Sequence, residues 1–194
     1  MDMTTATALA GFAFASSVTP GPNNLMLMAS GANFGLRRSL PHMLGVSLGH
    51  GFLILCVGLG LAALFERQPQ LRLAITVGSV GYMLWLAWKI ATAAPAGTGN
   101  APARPLTFAQ AAAFQWVNPK GWIMAITAIS VYAGSASGAV IAVVAIFVLV
   151  NLPSVSLWTI MGTQIARLLR NPRHLRVFNG MMAALLVATL AVMI

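Results

Sequence analysis

Apolar stretches long enough to cross a lipid bilayer fill most of this 194-residue chain. A helix that spans a bilayer needs about 17–25 mostly apolar residues. Charged residues make up only 7% of the sequence, whereas soluble domains carry about 25%. So few charged side chains cannot cover a surface that faces water, which excludes a soluble globular domain. The sequence therefore predicts an all-α integral membrane protein.

The predicted architecture has six transmembrane helices in two groups of three. A segment rich in Ala, Pro and Gly, residues 93–105, separates the groups and is expected to be a cytoplasmic linker. Residues 1–92 are predicted to form the first three-helix repeat and residues 106–194 the second, within one membrane domain. The N-terminus has no basic residues before its apolar stretch, so the first span is expected to remain as a membrane helix. The predicted spans cover residues 5–34, 43–64, 71–91, 106–132, 139–165 and 177–194.

The distribution of Lys and Arg predicts the orientation of the helices. Cytoplasmic loops carry an excess of these residues, and eight of the eleven lie in loops on one side of the predicted topology. We therefore expect that side to be cytoplasmic and both termini to be periplasmic, in a bacterial plasma membrane. Because the basic residues are spread over short loops between apolar spans, they indicate a lipid bilayer as partner and no nucleic acid. The eight residues are Arg37, Arg38, Lys89, Arg104, Arg167, Arg170, Arg173 and Arg176.

The two groups of helices are predicted to be inverted repeats. Three is an odd number, so the second group must enter the membrane with the opposite orientation. Each group opens with a span that proline interrupts, at residues 19–24 in span one and residues 118–121 in span four. Interrupted spans at corresponding positions of two repeats indicate the binding site of a transporter, because broken helices are tolerated only where the freed backbone groups face protein or water. The alternative is two proline kinks with only a packing role.

The residues at the two breaks have the chemistry to bind an amino acid. A helix that restarts at Pro22 presents free N–H groups that favour a carboxylate, and Gly21 allows a close approach to the backbone. The alternative role for Asn23 and Asn24 is to cap that helix. The predicted substrate-binding residues are Pro20, Gly21, Pro22, Asn23, Asn24, Asn118, Pro119 and Lys120.

Lys120 is the only basic residue near the middle of a predicted span. A lysine at the centre of a membrane helix is costly without a partner, and no Asp or Glu lies deep in any span. The carboxylate of the substrate is therefore its expected anion, while the carbonyls freed before Pro119 are expected to receive the substrate's ammonium group. The alternative is a side chain that snorkels to the interface. The lack of a deep acid also argues against a dibasic substrate.

Further residues are candidates for coupling or for lining the substrate path. His50 and Asn151 interrupt apolar spans, and a buried polar group needs partners, so both are predicted to face the interior. An unperturbed histidine titrates near physiological pH, so His50 is a candidate for proton coupling; a neutral histidine bonded to a neighbouring helix is the alternative. Trp116 and Trp122 flank the second break and are candidates for lining the path, although tryptophan commonly anchors at membrane interfaces.

Several motifs occur in the order and spacing of a known family. They are Thr19-Pro-Gly-Pro-Asn-Asn24, Gly35-Leu-Arg-Arg38, Gly45-x-x-x-Gly49, Gly81-Tyr-Met-Leu84 and Asn118-Pro-Lys120. On these motifs the chain resembles the LysE/RhtB amino-acid exporters over essentially its whole length. Residues 85–92 and the basic loop before the last span most resemble the cysteine/O-acetylserine exporter type. The resemblance implies secondary export of small amino acids from the cytoplasm, driven by the proton gradient and without a cofactor.

Other functions fit single features of the sequence. Ser47, between Gly45 and Gly49 and followed by His50, matches a serine hydrolase pattern, but that motif needs a strained strand-to-helix turn and here lies in a helical span. A metal-ion exporter needs clustered ligands, and Cys56 is the single cysteine, so no metal site and no catalytic residue are predicted. A channel is a further alternative. Gly-x-x-x-Gly faces allow helices to pack closely and indicate a homodimer as a further expectation. These pairs are Gly31/Gly35, Gly45/Gly49 and Gly134/Gly138.

Overall fold

A computed structural model describes residues 1–93, 104–133, 137–168 and 171–193, and all regular secondary structure in these ranges is helical. Most of the predicted linker, residues 94–103, lies outside the described residues, as do Gly134 and Arg170. The helices are α1 (Met3–Val18), α2 (Pro22–Cys56), α3 (Ala62–Arg67), α4 (Pro69–Ala91), α5 (Phe108–Phe114), α6 (Pro119–Ala128), α7 (Ser137–Leu168) and α8 (Pro172–Met193). A π-helical turn, Val57–Leu61, joins α2 to α3, a 3-10 turn, Gln115–Val117, follows α5, and a second π-helical turn, Ile129–Ala133, follows α6.

The helices break where the sequence predicted, in spans one and four. After α1 the chain is extended at Thr19 and Gly21, and Pro22 is the first residue of α2. In the second half, Asn118 is extended and Pro119 is the first residue of α6. Proline suits the first position of a helix because its φ is already helical and its missing N–H has no partner there in any case. The prolines therefore start the second segment of each broken helix.

The prediction of a loop between spans one and two, over residues 35–42, is wrong, because these residues are helical except at Gly35. Helical structure continues from Pro22 to Cys56, and the direction of the chain changes at Gly35 alone, where φ is 77° and ψ is 168°. Positive φ is strained for residues with a Cβ and accessible to glycine. In the sequence, Gly35 is an ordinary glycine within a basic segment, and that pattern does not predict a positive φ. Gly35 thus divides α2 into a first segment, residues 22–34, and a second segment, residues 36–56.

Two helical stretches in the described part of the chain are long and apolar enough to cross a membrane. They are Pro22–Leu61, whose apolar 18-residue window has a mean hydropathy of 1.9, and Gly138–Arg167, whose window has a mean hydropathy of 2.5. The first of them contains the turn at Gly35, so it is not one straight rod. α1 is shorter, and its first turn is capped by Asp2, whose carboxylate accepts the backbone N–H of Thr5 at 2.7 Å. That hydrogen bond lowers the pKa of the Asp2 carboxyl.

Glycine allows α2 to lie directly against its neighbours. A Cβ at Gly31 would overlap the backbone carbonyl of Thr159 in α7, and a Cβ at Gly162 would overlap the carbonyl of Met28. The first segment of α2 and α7 therefore cross backbone to backbone. We call this contact the glycine crossing.

The Gly-x-x-x-Gly face of the second α2 segment is also used within the chain. A Cβ at Gly45 would overlap the carbonyl of Phe108 in α5, and a Cβ at Gly49 would lie 2.6 Å from the Cα of Ala112. The Gly45/Gly49 face is therefore covered by the same chain. A homodimer stays a prediction, and Gly138 of the third pair has no heavy atom within 4 Å of its Cβ position.

The glycine crossing predicts a selective cost for added methyl groups. Gly31→Ala and Gly162→Ala each force a Cβ into backbone that cannot move independently, which is expected to cost about 1–3 kcal/mol of stability. Thermal unfolding in detergent should therefore shift to lower temperature for both variants. Gly78→Ala and Gly180→Ala are matched controls, because no heavy atom lies within 4 Å of either Cβ position. Equal melting temperatures in all four variants would contradict the crossing.

Candidate functional site

The two helix breaks contact each other through Lys120. The Lys120 ammonium donates to the backbone carbonyl of Thr19 at 2.7 Å and to that of Pro20 at 3.3 Å. A Cβ at Gly21 would lie 2.8 Å from the Cδ of Lys120, so Gly21 provides room for this side chain. The carbonyl end of a helix carries partial negative charge. The two carbonyls that directly follow α1 therefore accept hydrogen bonds from the lysine that the sequence left without a partner.

The carbonyls of the turn before Pro119 are the predicted acceptors for a substrate ammonium group. Two of them already have donors in the same segment: the Trp116 carbonyl accepts the indole N–H of Trp122 at 2.9 Å, and the Asn118 carbonyl accepts the backbone N–H of Trp122 at 3.3 Å. The ammonium group of Lys120 binds instead at the first break, where Thr19 and Pro20 are followed by residues with no N–H aligned to them in a helix. Lys120, from the second break, thus supplies the hydrogen-bond donor that the carbonyls of the first break lack.

Side chains donate hydrogen bonds to four consecutive backbone carbonyls, those of residues 17–20, where α1 ends. The Asn24 amide donates to the carbonyls of Ser17 and Thr19, both at 2.8 Å, and the Trp158 indole donates to the Val18 carbonyl at 3.1 Å. With Lys120 on Thr19 and Pro20, every carbonyl from residue 17 to residue 20 has a donor. The start of α2 has no side-chain cap, so Asn24 closes the end of α1 rather than capping the next helix.

Asn23 pairs with Gln115, a residue that the sequence analysis missed. The Asn23 amide donates to the Gln115 side-chain oxygen at 2.9 Å, and the Gln115 amide donates back at 3.1 Å. Gln115 also donates to the Ala111 carbonyl at 2.9 Å and is 0% exposed. A glutamine in an apolar span, three residues before Asn118, was the available signal. This pair joins the start of α2 to the 3-10 turn that precedes α6.

Asn151 connects three helices beside the first break. Its amide donates to the hydroxyl of Ser17 at 3.1 Å, and its side-chain oxygen accepts the hydroxyl of Ser47 at 2.8 Å. Asn151 therefore faces the interior, in line with the expectation for this residue. Ser47 bonds to Asn151 and forms no hydrogen bond to His50 among those of the described residues. The pairing of nucleophile and base that a serine hydrolase requires is not the arrangement found here.

These residues surround a small central cavity of about 20 Å³. That volume holds about one water molecule, which is far too little for an amino acid. Two buried polar atoms of its wall, His50 Nε2 and Asn118 Oδ1, have no hydrogen-bond partner among the described residues. The His50 ring packs edge-on against Phe147, with centroids 5.6 Å apart. The wall consists of Ser16, Ser17, Gly21, Asn23, Asn24, His50, Asn118, Lys120, Gly121, Met124 and Asn151.

The candidate polar residues therefore line one cavity, whereas the candidate tryptophans are not part of its wall. Trp116 and Trp122 lie outside the cavity wall, with their rings edge to face and 6.1 Å between centroids. Trp116 also contacts the ring of Phe52. The three prolines shape the backbone at the breaks rather than lining the cavity.

A second, larger cavity of about 620 Å³ begins one helical turn away. Asn23 lines the central cavity and Met26 lines the larger one. The larger cavity also includes Lys89 and Arg104, from the side of the chain that the sequence predicts to be cytoplasmic. His42 lies in its wall at 1% exposure, with neither ring nitrogen bonded within the described part of the chain. The sequence analysis missed His42 because it follows Pro41 in a segment that was expected to be a loop.

Comparisons with known proteins identify similar sequences over most of the chain. The family described as LysE type translocator matches residues 14–193. Three relatives carry the name cysteine/O-acetylserine efflux protein. That of Klebsiella pneumoniae is 34% identical over 132 residues, 68% of this chain and 67% of the relative. That of Salmonella typhimurium is 36% identical over 118 residues, 60% of each chain. That of Escherichia coli K12 is 33% identical over 178 residues, 89% of this chain and 88% of the relative. No solved structure matches.

The Asn23–Gln115 pair predicts coupled effects on stability. Asn23→Ala leaves the buried Gln115 amide without its partner, and an unsatisfied buried polar group costs about 1–3 kcal/mol. Gln115→Ala should cost a similar amount, whereas the double variant should cost less than the two single variants together. Thermal unfolding in detergent measures all three, with the exposed Gln164→Ala as control, which should change little. Additive losses would show that the two amides do not stabilise each other.

Proposed function

The chain belongs to the LysE type translocator family, and on that premise we propose that it is a secondary exporter of small neutral amino acids or their derivatives, coupled to protons. The relatives named cysteine/O-acetylserine efflux protein support cysteine and O-acetylserine as first candidates. The shortage of acidic residues supports a zwitterionic substrate, because a second cation on a substrate such as lysine has no carboxylate to meet. Only Asp2 and Glu66 are acidic in the whole chain.

We place the protein in the bacterial plasma membrane, with six spans arranged as two inverted repeats and both termini periplasmic. Each predicted span coincides with one or two helical segments, and the breaks occur in the first span of each half. The excess of Lys and Arg on one side supports a cytoplasmic location for that side. The 93–105 segment then connects the repeats in the cytoplasm.

The observation that carries the proposal is the meeting of the two breaks around one polar cavity. In transporters, the ends of broken helices supply the groups that bind substrate and coupling ions. Here the start of α2 and the Lys120 ammonium offer positive partners for a carboxylate, and the end of α1 offers carbonyls for an ammonium group. The site thus has a partner for each charge of a zwitterion.

The size of the central cavity indicates that export needs a conformational change. A volume of about 20 Å³ holds about one water, so substrate enters only when contacts around it open. Of the Asn23–Gln115 pair, Asn23 lines this cavity, and Met26 and Gln110, one to two helical turns along the same segments, line the larger one on the predicted cytoplasmic side. We propose that the larger cavity is the entrance from the cytoplasm and that separation of this pair admits the substrate.

Proton coupling is assigned to the two titratable groups of the central cavity, His50 and Lys120. Both line the cavity, and the residues that α1 and α7 contribute to its wall carry no charge. A group that gains and loses a proton beside the substrate makes binding depend on protonation. Transport that exchanges substrate for protons then needs no cofactor.

Flux through purified protein in liposomes tests this function directly. Preloaded unlabelled cysteine or O-acetylserine should accelerate uptake of the same labelled compound, because a carrier exchanges substrates. A pH gradient should drive net movement, and a protonophore should abolish it. Labelled lysine should exchange far more slowly, since its second cation is unpaired. Flux without exchange would indicate a channel, and equal rates for lysine would contradict a site for zwitterions.

The first break predicts a loss of export when it is removed. Pro20→Ala combined with Pro22→Ala restores two backbone N–H groups and favours a continuous helix, which removes both the free carbonyls and the new helix start. Export should fall by roughly tenfold or more, the size of effect expected when a positioning contact is lost. Membrane insertion should survive, as checked by the yield of folded protein. Normal export by the well-inserted double variant would show that the break has only a packing role.

A further inference from the structure

We propose that the backbone carbonyls of Thr19 and Pro20 bind the ammonium group of the substrate, and that the Lys120 ammonium is a tethered occupant which the substrate displaces. We call these two carbonyls the cradle. The inference rests on the proposed function and specifies how its central site selects a ligand. The cradle is then the site for the substrate's ammonium group. When substrate binds, Lys120 leaves the cradle and contacts the substrate carboxylate.

The cradle differs from the carbonyls beside it in the kind of donor that it holds. The Ser17 and Val18 carbonyls accept amide and indole N–H groups from Asn24 and Trp158, which are neutral and packed in place. The Pro20 carbonyl accepts only from Lys120 among the described hydrogen bonds, and the Thr19 carbonyl accepts from both Lys120 and Asn24. A lysine ammonium is a compact charge on a flexible stem. The cradle is therefore the part of the helix end whose donor can leave without unfolding a helix.

The chemistry of the cradle fits any ammonium group, and the lysine already bound there is one. An ammonium group has three N–H donors, and Lys120 uses the two carbonyls of the cradle. The same cavity contains Asn118 Oδ1, a buried acceptor without a partner among the described residues. A substrate ammonium in the cavity would have this third acceptor available. The unpaired oxygen thus points to a ligand that donates more hydrogen bonds than Lys120 does now.

Charge in the cavity determines which ammonium compounds can displace the lysine. No residue of the described cavity wall is acidic, so Lys120 has only carbonyl dipoles to balance its charge. A simple amine would add a second cation beside Lys120, and like charges in one site repel each other. A zwitterion brings its own carboxylate, which can bind Lys120 as that side chain leaves the cradle. The tethered lysine therefore admits amino acids and excludes amines.

The same argument predicts that removal of the lysine reverses this preference. In Lys120→Met the cradle holds no ammonium group, the Thr19 carbonyl keeps only the Asn24 amide, and the cavity has no fixed cation. A simple amine can then bind the cradle without repulsion, whereas the carboxylate of an amino acid lacks its partner. The variant is expected to insert at least as well as the wild type, because it places methionine where the chain had a costly lysine.

Binding in detergent, measured by calorimetry, tests the inference with three reduced ligands. These are cysteine, cysteamine, which lacks the carboxylate, and N-acetylcysteine, whose ammonium group is blocked. The wild type should bind cysteine and bind the other two at least about tenfold more weakly. Lys120→Met should bind cysteine about tenfold or more weakly than the wild type and cysteamine about tenfold or more tightly than the wild type. N-acetylcysteine should bind weakly to both.

Three further variants separate charge from structure. Lys120→Arg retains the cation. It should still bind cysteamine weakly, and its affinity for cysteine should lie between those of the wild type and Lys120→Met. Arg173→Met removes an exposed cation at the start of α8 and should leave the preference for cysteine unchanged. Lys120→Gln keeps a neutral donor for the cradle and replaces Lys120→Met as the test if the latter fails to fold, with weaker cysteine binding and tighter cysteamine binding expected.

The outcomes distinguish this inference from the proposed function. A wild type that binds and exchanges none of the amino acids tested contradicts the function itself. A wild type that binds cysteine, combined with Lys120 variants that bind it equally well, shows that Lys120 is a snorkelling lysine. Loss of cysteine binding without any gain for cysteamine shows that Lys120 contacts the carboxylate but that the cradle is not the ammonium site. Either of the last two results overturns the inference and leaves the exporter intact.

Discussion

The end of α1 imposes the constraint on which the centre of this protein depends. A helix that stops leaves its last carbonyls without N–H partners. An unpaired carbonyl is costly where it is buried, as at Ser17, while Thr19 and Pro20 are exposed. Donors for these carbonyls come from three other helices: Asn24 of α2, Lys120 of α6 and Trp158 of α7. Each donor fixes the position of its own helix relative to α1. The break is therefore a structural centre as well as a site.

The features that the sequence predicted are those that stand out against an apolar background. Prolines and asparagines in otherwise apolar spans marked both breaks, and a lysine without a deep acid marked the residue that joins them. Helix ends and single charges are local properties, so a sequence without homologues is enough to find them. The family motifs, Thr19–Asn24 above all, agree with the family match over residues 14–193.

The features that the sequence did not reveal depend on contacts between distant residues. Nothing in the surroundings of Gln115 indicates that it pairs with Asn23, 92 positions away. In the sequence, Gly35 looked like any glycine near a basic loop. In the structure, its positive φ changes the direction of the chain, and helix takes the place of the predicted loop. Gly45 and Gly49 suggested a contact between copies of the chain, and the structure uses them against α5. Periodicity shows that a face packs closely, but it does not identify the partner.

The glycine crossing has a mechanical consequence for the first segment of α2. This segment is a short rod with a joint at each end, the extended residue Gly21 and the turn at Gly35, and it rests on α7 at Gly31. With a rise of about 1.5 Å per residue, the contact with α7, from Met28 to Gly31, lies about 8–12 Å from Asn23 and about 6–11 Å from Gly35. A tilt of the segment about the crossing would therefore move its two ends in opposite directions, with Asn23 in the central cavity at one end and Arg37 and Arg38 beyond the other.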